Sequence, residues 1–294
     1  ELYGSNDIMN FDSWEWEGVV DMGVVCWGRA AYGVLGMEYA NNDIGNNPGE
    51  MGDSLIPVRR LPGDVREIFV GGGHSMCAII RYSDEVFCWG ENSNAELGLP
   101  HLTDQKTGAS DAALLGTNFR AQFGRPHLGG WCAVDQFGRV KCVGKNFAGQ
   151  CGLGYTSTYV GGSTAALGDN LPFLSFSGSS GRVVQLGSGA DSMLALLSDN
   201  TVWFWGQGAH GKSGQGSTYN KNSPVQVTVT SSLRIRSLDI SNALQSLSSF
   251  CVLLESNAVK CWGDGNYGST GQGNQADIGD QANEMDEFLP VVDL

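Results

Sequence analysis

One arrangement recurs along the 294 residues and confines the chain to an array of small units. A short apolar run closes on a residue followed by glycine at Trp27-Gly28, Trp89-Gly90, Val143-Gly144, Trp205-Gly206 and Trp262-Gly263. These five anchors stand 62, 54, 62 and 57 residues apart. Self-similarity at a period of this order marks solenoids, propellers or arrays, and it takes precedence over any local reading.

Each unit reads as all-β. Met76 to Ile80 and Val86 to Trp89 are apolar runs around Ser83-Asp84-Glu85, and Cys132-Ala133-Val134 and Val140-Lys141-Cys142 flank Gln136-Phe137-Gly138. Met193 to Leu197 and Thr201 to Phe204 flank Ser198-Asp199-Asn200, and Cys251 to Leu254 and Ala258 to Cys261 flank Glu255-Ser256-Asn257. Apolar β-formers on both sides of an Asx- or Gly-bearing turn predict a hairpin. A further run precedes each hairpin (Val65 to Val70, Val183 to Leu186), and an outer run lies beside a proline (Leu55 to Val58, Leu171 to Leu174, Pro224 to Val227). Four short antiparallel strands per unit is the content of one propeller blade. The expectation is a single β-propeller domain over 1–294, with five recognisable blades. The first blade is degenerate, with Trp14-Glu15-Trp16 standing where a strand should begin. Asp111 to Leu115 is the one stretch that suggests a helical turn. Glycine, at 43 residues and without a three-residue period, fits the tight turns such blades need.

Eight cysteines punctuate this pattern. Cys77 with Cys88, Cys132 with Cys142, and Cys251 with Cys261 sit on the two arms of one hairpin, near-opposite across the strands and within disulfide reach. The matching positions of the fourth unit are read as Met193 and Phe204, an apolar pair in place of a bond. Zinc would want shorter cysteine spacings or histidines beside them, and the four histidines are not so placed. Paired cysteines imply an oxidising compartment. Cys26 and Cys151 are left over: they pair with each other, bond a neighbouring chain, or stay free.

Seventeen basic against 31 acidic residues give a formal charge of −14, which disfavours nucleic acid and anionic lipid as partners. No apolar run approaches the roughly 18 residues a membrane-crossing helix needs. No basic-then-apolar leader opens the chain, and a start at Glu1 without methionine suggests a processed or truncated piece.

The stretch Gly73-x-x-x-Cys77-Ala78 leading to Trp89-Gly90-x-Asn92-x-x-x-Glu96-Leu97-Gly98 resembles the RCC1-type repeat. So do Gly144-x-Asn146-x-x-Gly149-Gln150-Cys151-Gly152 and Cys261-Trp262-Gly263-x-Gly265-Asn266. The stretches from Asp43-Ile44-Gly45 and from Asp277-Ile278-Gly279 resemble each other and look like acidic connectors of a secreted, cysteine-bearing branch of that family. Units of the WD type are shorter, and kelch repeats lack the Trp-Gly plus Asn anchor. The resemblance covers about residues 15–294 and implies RCC1-like blades. It also implies a structural role for His74, as a backbone-bonding residue near the blade core. Family members commonly close seven blades, so five imply a smaller ring, a fragment, or edges that pair with other copies.

No nucleophile elbow, phosphate loop or paired-histidine ligand motif is present, so no catalytic and no cofactor-binding residue is expected. His101, His127 and His210 read as isolated loop residues. Asp43, Glu50 and Asp53, and again Asp277, Asp280, Glu284 and Asp286, supply oxygen ligands of the kind calcium takes, although their spacing departs from the calcium-loop pattern. Solvated turn acids are the competing reading. Trp14, Trp16, Trp27 and Trp203 offer either an exposed binding patch or core, and core is favoured. The expected function is a non-catalytic, extracellular or cell-surface structural or adhesive protein, self-assembling into a filament or layer. The alternative is a soluble propeller, an inhibitor or receptor-like module, that grips a protein partner with its loops. Regulation of a small GTPase is a more distant reading, resting on fold analogy.

Overall fold

A computed structural model describes residues 23–37, 42–72, 74–230, 233–240 and 248–293. Four sheets follow one another in chain order. The first holds β1 (Val65–Gly72), β2 (Ser75–Ile80) and β3 (Val86–Gly90). The second adds β4 (Ala121–His127), β5 (Gly130–Asp135), β6 (Val140–Asn146) and β7 (Ser157–Val160). The third is β8 (Val183–Ser188), β9 (Ser192–Leu197), β10 (Val202–Gly206) and β11 (Lys221–Val227). The fourth is β12 (Ile235–Ile240), β13 (Ser249–Leu254) and β14 (Val259–Gly263). Every ladder is an antiparallel meander, so sequence neighbours are also sheet neighbours.

The fourth strand is complete in the second and third sheets. In the first and fourth it shrinks to isolated bridges, Phe87 with Ala112 and Gly90 with Gln105, then Lys260 with Val291 and Gly263 with Ile278. Ala112 therefore sits at an outer edge, and the helical turn expected over Asp111 to Leu115 is not formed: its amides bond to β3 and to the Gly98 turn instead. The first unit keeps the same outer pairing, Val25 with Pro57 and Gly28 with Ile44. Trp14 and Trp16 lie outside the described residues.

The units pack as blades. Inner strands follow one another, β1 against β4, β4 against β8, β8 against β12. Close approach is arranged by glycine. A Cβ on Gly124 of β4 would come within 2.5 Å of the Phe69 ring of β1, and one on Gly187 of β8 within 2.6 Å of Ile240 of β12. Between the blades lie the cores. Trp131, Cys132, Val143, Leu186, Met193 and Trp205 belong to the largest, and Phe204, Phe250, Val252, Trp262 and Leu289 to the one between third and fourth sheets. Burial of such side chains is the principal favourable term, about 1.5–3 kcal/mol each.

Cys77–Cys88, Cys132–Cys142 and Cys251–Cys261 are disulfide-bonded across β2–β3, β5–β6 and β13–β14, with Cα atoms 4.0–4.1 Å apart. The fourth unit needs a correction. Its apolar pair at this position is Leu194 with Phe204; Met193 faces Trp205. The turn of the Cys77 hairpin is one residue longer than in the other units, a separation of 11 against 10, so counting from it misplaces the partner by one. A slip of one residue turns a side chain to the other face of the sheet.

Cys26 and Cys151 are both free thiols, which rules out the bond between them within one chain. Cys151 is wholly buried in the turn position that Leu35 and Leu97 fill elsewhere, so it packs as a small hydrophobe and offers no bond to another chain either. Burial raises the Cys26 thiol to about 11 and the Cys151 thiol further, so both stay protonated at neutral pH.

Candidate interaction face and the turns that build it

Each anchor glycine has φ near +100°, a conformation that side chains seldom tolerate; Gly90, Gly206 and Gly263 end the third strand of their blades, and Gly144 stands two residues before the end of β6. A Cβ on Gly90 would also sit 2.3 Å from the His74 carbonyl oxygen. The chain then enters a tight turn, Glu91 to Gly98 in the second unit, with counterparts at Arg29 to Gly36, Lys145 to Gly152, Gln207 to Gly214 and Asp264 to Gly271.

Two devices hold these turns. Where asparagine follows the anchor, its amide closes the loop: Asn92 Oδ1 accepts the Leu97 N–H at 3.0 Å while Nδ2 donates to the His101 carbonyl at 2.7 Å. Asn146 does the same for Cys151 and Tyr155, both at 3.0 Å. An outer side chain accepts the N–H of the same position in four units: Asp43 from Ala30, Asp104 from Asn92, Asn220 from Gly208 and Asp277 from Gly265, at 2.9–3.2 Å. Asp43 and Asp277 are thus tied to backbone.

The remaining acids divide. Glu50 accepts the N–H groups of Gly45 and Asn47, and Glu284 those of Gly279 and Gln281, all within 3.0 Å. The Asn47 amide and these backbone donors hold the Glu50 carboxyl below its ordinary range. Asp53 and Asp286 lie in 3-10 turns, Gly52–Ser54 and Asp286–Phe288. Burial, followed by the neighbouring Glu284 charge, raises the Asp280 carboxyl. Among the described residues, neither the three acids of the first connector nor the four of the second converge on one point; what they share is a loop braced by a glutamate.

Each turn also receives its neighbour. Trp89 Nε1 donates to the Val34 carbonyl at 2.8 Å, Trp205 to Gln150 at 2.9 Å and Trp262 to Lys212 at 3.0 Å. The third unit, whose anchor is Val143, does not lack this bond. Trp131, directly across the ladder from Val143, donates to Glu96 at 2.7 Å. The indole has moved to the facing strand and reaches the equivalent turn. Glu96, Gln150 and Lys212 are consequently buried, and burial raises the Glu96 carboxyl and lowers the Lys212 ammonium to about 8.

Because the turns leave equivalent strand ends of sheets packed in order, they share one face of the molecule. Exposed aromatics lie in these turns (Tyr32, Phe147, and Tyr267 at 92% of full exposure) or in the segments that follow them (Tyr155, and Tyr219 at 78%). Elsewhere, Phe137 and Phe173 lie under the Arg139 guanidinium. Trp27 is exposed and Trp203 is buried against Phe176, so the tryptophans do not form one patch.

The histidines differ from their sequence reading. His74 Nδ1 lies 3.2 Å from Glu91 Oε2 and its ring against Tyr32, rather than on backbone in the core. His127 ends β4 and is fully buried, which lowers it to about 4. His210 pairs with Asp277, 67 residues on, at 2.9 Å. No spacing rule joins the last two. One groove of about 370 Å³ is lined by Val25, Cys26, Trp27 and Leu35.

No family model matches the chain. It is 28% identical over 223 residues to human E3 ubiquitin-protein ligase HERC2, covering 71% of this chain and 4% of that protein. It is 24% identical over 263 residues to the Arabidopsis thaliana ultraviolet-B receptor UVR8, covering 86% of this chain and 52% of the receptor. To the X-linked retinitis pigmentosa GTPase regulator of Canis lupus familiaris it is 28% identical over 162 residues, 55% of this chain and 15% of that one. The chain thus spans about half, or far less, of the length of these relatives. Among solved structures it is similar to human WBSCR16, with TM-score 0.65, 19% identity, and coverage of 91% of this chain and 62% of that one. It is also similar to yeast RCC1 (Prp20) bound to Kap60, with TM-score 0.60, 14% identity, and coverage of 82% and 51%. At these identities the likeness is one of fold.

Proposed function

Since the chain belongs to the RCC1-like repeat β-propellers, we propose that it is a non-catalytic protein-binding module that engages its partner through the anchor-turn face. The observation that carries this reading is the exposure of Tyr32, Phe147, Tyr155, Tyr219 and Tyr267 on the anchor turns and the segments that follow them. Tyrosine on a rigid support is a favoured anchor at protein interfaces, since it buries much area for little entropy. The yeast relative's complex with Kap60 is consistent with a propeller of this fold taking a protein partner. A formal charge of −14 favours a partner with a basic surface.

Affinity capture from the native source tests it. The wild-type chain is expected to retain a protein that Tyr155→Ala/Tyr219→Ala/Tyr267→Ala loses and that Tyr82→Ala, on the opposite turns, keeps. Equal recovery by all three overturns the assignment of the face.

One observation supports a second, narrower reading. Three hairpin disulfides suit an oxidising compartment, and hence a secreted or cell-surface protein that binds copies of itself as a structural or adhesive unit. Among the described residues no helix is long and apolar enough to cross a membrane. Sedimentation of the purified chain across concentration is expected to show reversible oligomers if self-association is its role, and one species at monomer mass otherwise.

A further inference from the structure

We propose that His210, Asp264 and Asp277 form a site for a divalent transition cation of the zinc class, at the junction of the fourth and fifth units. His210 stands in the Ala209–Gly211 turn of the fourth unit. Asp264 directly follows the anchor Gly263, and Asp277 precedes Ile278, whose backbone bridges Gly263. Sequence distance is thus closed by the blade itself. One ligand atom of each residue lies within 4.8 Å of the other two.

The independent mark of a ligand is Asp264. The residue is 2% exposed; its Oδ1 accepts the Asn266 N–H at 2.7 Å, and its buried Oδ2 has no hydrogen-bond partner among the described residues. An ionised carboxylate oxygen is seldom buried without donor or cation, because the lost hydration is not replaced. The Lys212 ammonium acts on Asp264 from nearby, and its Nζ donates to Gln207 Oε1 at 2.7 Å. Asp277 spends Oδ1 on the Gly265 N–H and turns Oδ2 to His210 Nδ1.

The donor set selects the ion. One imidazole with two carboxylates suits zinc, manganese or iron(II), whereas calcium and magnesium take oxygen alone. Bonds of about 2.0–2.1 Å in a tetrahedral site hold ligand atoms about 3.4 Å apart, so no pair of the three groups need close by more than about 1.4 Å. The half-exposed His210 side chain leaves the remaining position open to water. Equivalent positions elsewhere do not repeat the set: Arg29, Glu91, Lys145 and Gln207 stand where Asp264 does, and Glu91 pairs with His74, whose ring lies against Tyr32. The site belongs to one junction, where a bound ion would clasp two blades.

Cobalt(II) and zinc(II) are the probes. The chelator-treated chain is expected to bind one ion per molecule by calorimetry, and cobalt to develop visible d–d absorption. His210→Gln and Asp264→Asn should each weaken zinc at least about ten-fold, while His101→Gln changes nothing. His210 is on the surface, so its variant keeps the test decisive if Asp264→Asn does not fold. Absence of stoichiometric binding at zinc concentrations up to about 1 mM overturns the site, as does unchanged affinity in His210→Gln.

Discussion

At the scale of single residues, the inter-blade indole bonds carry the most testable information. Each tryptophan fills a core position and satisfies a turn carbonyl of the preceding unit. Losing both functions at Trp131 by Trp131→Met leaves a cavity and an unpaired Glu96 carbonyl, a cost of about 3–5 kcal/mol. The second, fourth and fifth units show that the facing position serves as well. Trp131→Met/Val143→Trp is therefore expected to regain most of the loss, which urea unfolding of the two variants measures. His127 supports a second prediction. Burial holds its imidazole at about 4, below its ordinary value of 6.5, so between these values the unfolded chain binds the extra proton. Its contribution to stability is complete above pH 6.5 and is lost as pH falls through 4, up to about 3 kcal/mol. His127→Phe should flatten that part of the stability–pH curve relative to wild type; identical slopes would exclude the assignment.

At the scale of the element, the hairpin and its cross-strand pair are the unit of stability. A disulfide closing about ten residues contributes on the order of 3 kcal/mol by the loop-entropy account. The fourth blade achieves the same closure with Leu194 against Phe204, whose ring packs edge-on to Phe250. Cys251→Leu/Cys261→Phe is expected to fold with a smaller loss than Cys251→Ser/Cys261→Ser, which removes the bond and leaves two hydroxyls in the same place. Thermal midpoints order the variants, and a serine pair equal to the apolar pair would sink the argument. The hairpins were legible in the sequence because their signals are local: alternating apolar runs, a turn, an anchor glycine. What was not legible depends on partners in other elements. Trp131 replaces an anchor indole from across a ladder, and the Leu194 register depends on a turn one residue shorter than its model in the second blade. Asp43 and Glu50 read as ligands because composition does not show that backbone N–H groups already occupy them. His210 and Asp277 meet only when the last blade folds back on its own anchor.

At the scale of the molecule, blades support one another in series. Arg125 of β4 reaches Glu67 of β1 at 2.9 Å, and the Gln185 amide of β8 clamps both backbone groups of Leu238 in β12 at 2.8–2.9 Å. Stability in such arrays is a sum of unit terms and nearest-neighbour interfaces, and a unit with two partners opens less often than a unit with one. The second and third sheets have described blades on both sides. The fourth has one, since among the described residues β12 packs on β8 and no comparable contact joins it to β1. Amide exchange should therefore be slowest in β5 and β9 and measurably faster in β13, although β13 and β5 each carry a hairpin disulfide. The disulfide closes its hairpin in the unfolded chain as well, so it cannot by itself supply the missing interface. Exchange in β13 as slow as in β5 would mean that the last blade has a second neighbour. Dilution then identifies it: protection that fades with falling concentration comes from another copy of the chain, and protection that persists comes from within it.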